Sequence, residues 1–155
     1  MFIEEEEEKI ARDLYGSFYE INQMPIFQEL AQSEQSHMDS VKALIEKYGL
    51  VLPDNGIGKV NNQTLQQIHD DLLQKGQKST NESLISGTTF EEISITDLQK
   101  IIAKTDKEDA KTVYQGLLAG SRKHLGSLVK EMKTRGIEYS PQLLSEEEYD
   151  KIIGS

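Results

Sequence analysis

Between Phe27 and Tyr48 the chain reads FQELAQSEQSHMDSVKALIEKY, and one regular structure suits that pattern. At helical spacing Phe27, Leu30, Glu34, His37, Val41, Leu44 and Tyr48 share a face. The face is apolar except at its centre, where Glu34 and His37 stand three residues apart. A carboxylate and an imidazole turned into a core each cost roughly a few kcal/mol unless partnered. The stretch therefore predicts a helix in a larger assembly whose other members supply partners.

Glu-x-x-His on the inward face of a helix gives one oxygen and one nitrogen ligand projecting together, the arrangement used by dimetal carboxylate bundles. The ordinary alternative is a chance pair on a solvated face. The two readings separate on whether the rest of the chain provides converging groups.

The chain has 155 residues, the size of one domain with a sizeable core, so residues 1–155 are expected to form a single unit. A net charge of −10 argues against nucleic acid and against an anionic membrane as partners. There is no cysteine, so any metal must be held by oxygen and imidazole, which suits iron, manganese or zinc. The N-terminal MFIEEEEE carries acid where a secretory signal carries base, and no apolar run reaches bilayer length. The cytoplasm is the expected compartment.

A first helix is predicted from about Phe2 to Ile21, with Ile3, Ile10 and Leu14 on one stripe and Ala11, Tyr15 and Phe18 beside it. Glu4 to Glu6 read as a solvated first turn favoured by the helix dipole. One of Glu7 and Glu8 should face inward, since each is in register with an apolar stripe. Pro25 suits the start of the second helix and Gly49 its end. Leu52 to Asn62 reads as loop, with Asp54-Asn55-Gly56 a turn rather than a calcium loop. A short amphipathic helix follows, about Thr64 to Gln74, whose His69 reads as a surface or packing residue. Ser79-Thr80-Asn81-Glu82, Thr105-Asp106-Lys107-Glu108 and Ser145-Glu146-Glu147-Glu148 have the form of capping boxes. They open helices over about Thr80 to Lys104, Asp106 to Lys133, and a short C-terminal piece. The first of these carries Glu91 and Glu92, one of which should point in; the second carries His124 among Leu117, Ser121 and Leu128.

The chain repeats itself. With His37 set against His124, Ser40 meets Ser127, Val41 meets Leu128 and Gly49 meets Gly136. With Glu7-Glu8 set against Glu91-Glu92, Asp13-Leu14 meets Asp97-Leu98. Two helical pairs, each a glutamate helix followed by a histidine helix, would bring these groups together. Ser121 stands where the second half should repeat Glu34.

Glu8-Lys9-Ile10-Ala11-Arg12-Asp13-Leu14-Tyr15 resembles the first ligand helix of rubrerythrins, and Ser33-Glu34-Gln35-Ser36-His37-Met38 resembles their Glu-x-x-His motif. With EEISITDL, GSRKHL and YSPQLL, nearly the full length is similar to an uncharacterised bacterial and archaeal branch of the ferritin-like superfamily. The resemblance implies an all-α fold: a four-helix bundle with a long crossover carrying a short extra helix, plus a short C-terminal helix. It also selects Glu8 over Glu7, and the repeat then carries the choice to Glu92. The implied metal ligands are Glu8, Glu34, His37, Glu92 and His124, holding two irons per chain if the set is complete, with manganese or zinc as other occupants. Tyr15 is the candidate catalytic residue, as electron or hydrogen-bond donor, with simple bundle packing as its other reading. Asp13 and Asp97 read either as acceptors behind the histidines or as surface carboxylates. The implied activity is oxygen- or peroxide-linked iron chemistry, of peroxidase or ferroxidase type, or iron handling; homodimers are common in the superfamily. Ser121 favours the alternative, a metal-free or structurally metallated bundle acting as a binding or stress-response module.

Overall fold

The computed structural model describes residues 1–53 and 55–154. Six helices follow in order: α1 (Phe2–Asn22), α2 (Pro25–Lys47), α3 (Gln63–Gly76), α4 (Thr80–Lys104), α5 (Glu108–Thr134) and α6 (Glu146–Ile153). There is no strand among the described residues, and no helix among them is long and apolar enough to cross a membrane. The four long helices form a bundle in which α1 packs on α2 and α4, and α5 packs on α2 and α4. The short helix α3 lies in the crossover from α2 to α4 and packs on α1 and α4, while α6 lies on α5. Apolar residues from all six helices make one core, from Leu14, Tyr15 and Phe18 through Phe27, Leu84 and Ile95 to Leu125, Leu128 and Met132.

The stops of α2 and α5 are the same device. Gly49 and Gly136 both take φ of 73°, where a side chain would be strained. The next amides, Leu50 and Ile137, donate to Ile45 and Met132 at 3.2 and 2.9 Å, closing a Schellman turn on each helix. Ser79 and Ser145 accept from the amides of Glu82 and Glu148, as their capping pattern predicts. Thr105 differs. It is the C-cap of α4, its hydroxyl donating to Ile101 O, and α5 begins at Glu108 without a side-chain cap.

The acid run of α1 is not solvated: all of Glu4 to Glu8 are buried. The reasons are long-range: Glu7 and Glu8 meet Asp97 and the cluster around Glu34, and the crossover folds over Glu6 and the residues that follow. Glu6 accepts from the amides of Asn61 and Asn62, Lys9 donates to Gly56 O, and Asp13 accepts from the amide of Gly58. His69 is buried beneath Gly58, with Nδ1 2.9 Å from Asp70 Oδ1, so it packs rather than lying on the surface. Of the Asp54-Asn55-Gly56 turn, Asp54 lies outside the described residues; Gly56 has φ of 78°.

Candidate metal centre

Five side chains from four helices meet midway along the bundle: Glu8 from α1, Glu34 and His37 from α2, Glu91 from α4 and His124 from α5. Glu34 is the hub, 1% exposed. Its Oε2 lies 3.2 Å from His37 Nδ1, which is also 3.2 Å from Glu8 Oε2. Its Oε1 lies 2.8 Å from His124 Nδ1, which is 3.4 Å from Glu91 Oε1. The two imidazoles stack with centroids 5.4 Å apart. Two overlapping groups result, Glu8/Glu34/His37 and Glu34/Glu91/His124, and within each the ligand atoms all lie within 4.8 Å of one another.

Three carboxyls this close cannot all be ionised without compensation. Burial, reinforced by the charge of Glu34, pushes Glu8 well above the usual carboxylate range, which favours a proton between the two carboxyls. Burial would also raise Glu34, but the Glu8 carboxyl and the facing imidazoles of His124 and His37 outweigh it and hold that carboxyl well below its ordinary value. Burial raises Glu91 to about 7, helped by Glu34 and opposed by His124. Burial alone would lower His124, but Glu91 and Glu34 raise it to about 10. These shifts favour an imidazolium at His124, beside Glu34 and Glu91, and a proton between Glu8 and Glu34.

The donor set fits a cation. Glu91 Oε2 is buried with no hydrogen-bond partner. His124 Nδ1 approaches Glu34 closely but without the direction of a hydrogen bond. Both atoms face charge without being satisfied by it, and a metal ion would satisfy both. Ser33 Oγ, 2.8 Å from His124 Nε2, fixes that ring so that Nδ1 faces the carboxylates. The Tyr15 hydroxyl lies 3.1 Å from Glu91 Oε1 and 3.3 Å from Gly87 O. Burial, with the charges of Glu91 and Glu34, pushes the phenol well above its ordinary value, so it remains a donor.

The model of the family described as "Uncharacterized protein domain (DUF2202)" matches residues 1–155. The chain belongs to the DUF2202 family. It is 44% identical over 152 residues to the uncharacterized protein MJ0754 of Methanocaldococcus jannaschii, covering 97% of this chain and 82% of that protein. It is also similar to the crystal structure of hypothetical protein MJ0754, with a TM-score of 0.96 at 43% identity over 99% of this chain and 89% of that one.

In this DUF2202 chain Glu8, Glu34, His37 and His124 lie together, and Glu92 does not. Glu92 turns to the C-terminal tail, where it accepts from the Tyr139 hydroxyl and from the amides of Gln142, Leu143 and Leu144. Its neighbour Glu91 takes the place in the cluster. The helical register contains the reason: Leu84, Glu91 and Leu98 recur at sevens on the face of α4 that meets the core. Asp13 and Asp97 do not back the histidines. Asp13 holds Lys9, at 2.7 Å, and the crossover, while Asp97 hydrogen-bonds Glu7, whose carboxyl is raised by burial and by that neighbour. Two contributors had no signal in the pattern. Ser33 is one. The other is Gly120, where an added Cβ would sit 2.5 Å from both Cε1 and Nε2 of His37; the bare backbone of α5 gives that ring its place.

Proposed function

We propose that this protein binds two metal ions, iron foremost, in the manner of the ferritin-like proteins its motifs resemble. The observation that supports it most is the sharing of Glu34 between two three-residue groups. Glu8, Glu34 and His37 would hold one ion; Glu34, Glu91 and His124 would hold the other. A bound iron pair would supply oxygen- or peroxide-linked oxidation chemistry, making the protein an oxidoreductase or a ferroxidase-type iron handler.

The residues' own part is protonic and positional. Loading requires the Glu8 and His124 protons to leave, because ligands bind deprotonated. Tyr15 holds Glu91 by its hydroxyl, and Ser33 holds His124 by its far nitrogen. Ser121 is buried on the same helix face as His124 and adds no carboxylate, which leaves positions for solvent or substrate oxygen. Manganese and zinc suit the same ligand types.

The test is elemental analysis of protein expressed in iron-supplemented medium, with anaerobic ferrous iron added back. Stoichiometric iron that Glu34→Ala and His37→Ala abolish supports the reading. Full occupancy in both variants, or no stoichiometric metal in the parent, sinks it. The second outcome would favour a metal-free bundle serving as a binding module, for which the ion pairing of His124 with Glu34 and Glu91 is the supporting observation.

A further inference from the structure

The outer face of α5 carries a charge pattern that the metal centre does not use. Tyr149 and Ile152 seat α6 on α5, and the two helices leave between them a groove of about 860 Å³. Arg122, Lys123, Lys130, Lys133 and Lys151 line it, against one carboxylate, Glu148. This is a basic groove on a chain of net charge −10.

Its cations are largely uncompensated. Arg122 is 3.8 Å from Glu148, a carboxylate that also accepts from Gln99, and Lys151 is 3.4 Å from Glu147 on its own helix. Among the described residues, Lys123, Lys130 and Lys133 make no ion pair. Like charges a turn apart disfavour a helix. The floor is apolar, with buried Val129 and Ile152 between the charged rims.

We infer that this groove is a docking surface for an acidic protein segment that presents carboxylates along an apolar ridge, as an amphipathic helix does. The spacing argues for that occupant over a small anion. Arg122, Lys130 and Lys133 are strung along about 17 Å of helix, and all are exposed, so no point of the groove gathers them around one charge. An acidic helix laid in the groove would meet Arg122 and Lys123 toward one end and Lys130 and Lys133 about two turns further on, with leucine-type side chains buried on the floor between. A long polyanion would feel the repulsion of the whole chain, whereas a short segment feels mainly charges within about 8 Å at physiological salt.

The probe is a fluorescently labelled synthetic peptide built on the repeat Leu-Glu-Glu-Leu-Leu-Glu-Glu, titrated with the full chain and followed by anisotropy. Its lysine counterpart and inorganic polyphosphate serve as comparisons. The expected result is binding of the acidic peptide alone, weakened about tenfold between low and physiological salt and by about tenfold or more in Lys130→Glu/Lys133→Glu. Metal content should be the same in both proteins, since neither lysine touches the cluster. Circular dichroism checks the fold, and Lys130→Gln/Lys133→Gln enters the same titration if the reversal unfolds the chain. Three outcomes overturn the inference. The neutralised or reversed proteins could bind as tightly as the parent. Polyphosphate could bind more tightly than the peptide, making the groove a polyanion site. Sedimentation could reveal a dimer that the lysine substitutions dissociate, making the occupant a second copy of this chain.

Discussion

In α1 the second glutamate of a pair, Glu8, enters the cluster and the first, Glu7, rests against Asp97. In α4 the order is reversed: Glu91 enters and Glu92 leaves for the tail. The dipeptides match in sequence, yet the residue left over has a different fate in each half. Glu7 finds another carboxyl, Asp97, and burial with that neighbour raises it well above the usual carboxylate range. Glu92 finds four donors, three of them the successive backbone amides of Gln142, Leu143 and Leu144. A repeat in sequence therefore predicts that a carboxyl faces inward in each half. Which one does depends on what waits for the other.

The sharpest way to break the comparison is at the residue both halves use. Glu34→Ala should remove both metal ions, whereas Glu8→Ala should remove only the one held with His37, taking metal per chain from two to about one by elemental analysis after dialysis. Equal losses would mean the two groups are not separable. Next is Glu92→Gln against Glu91→Gln. Losing the charge-assisted bonds to the tail should cost about 2 kcal/mol in a urea melt and make the tail sensitive to protease while metal stays bound. Glu91→Gln should do the opposite, keeping the tail and losing the ion shared with His124.

Gly120→Ala sharpens the contrast from the α5 side. Its methyl would meet the His37 ring at 2.5 Å, so the His37 group should lose metal and the His124 group keep it. If zinc or cobalt titration still gives two sites of unchanged affinity, the ring has another place to go.

In the metal-free protein, Glu91 is raised to about 7 and His124 to about 10. Groups whose folded values are raised stabilise below their unfolded values, and that stability is lost as pH climbs through the folded ones. The melting temperature should fall between pH 6 and pH 10, and added metal should raise it most at the alkaline end. A metal-free melt that rises over that range would refute the imidazolium at His124. The smallest effect belongs to Tyr15→Phe: about 1 kcal/mol of stability from one buried hydroxyl, and a weaker hold on Glu91 alone.

Much of this architecture is legible in the chain because it is local. The stripe from Phe27 to Tyr48, the turns at Gly49 and Gly136, and the serine caps each state their structure within a few residues. The convergence of Glu34, His37 and His124 is legible as well, through the repeat. What escapes is set by distant segments. Glu6 looks solvated until Asn61 and Asn62 fold over it, and Glu92 looks like a ligand until residues 139–144 claim it. Thr105 has the form of an N-cap, but its hydroxyl bonds backward to Ile101. Gly120 carries no chemistry of its own, and only the position of His37 gives it meaning.

The adjacency of Glu91 and Glu92 has a mechanical consequence. Successive residues on a helix point about 100° apart. Pinning one to the bundle axis and the next to the tail acts as a pair of crossed pins, and α4 loses its freedom to rotate about its own length. A helix so locked is the fixed wall of the centre. Were an ion to enter the cluster, the give would fall to the other three helices.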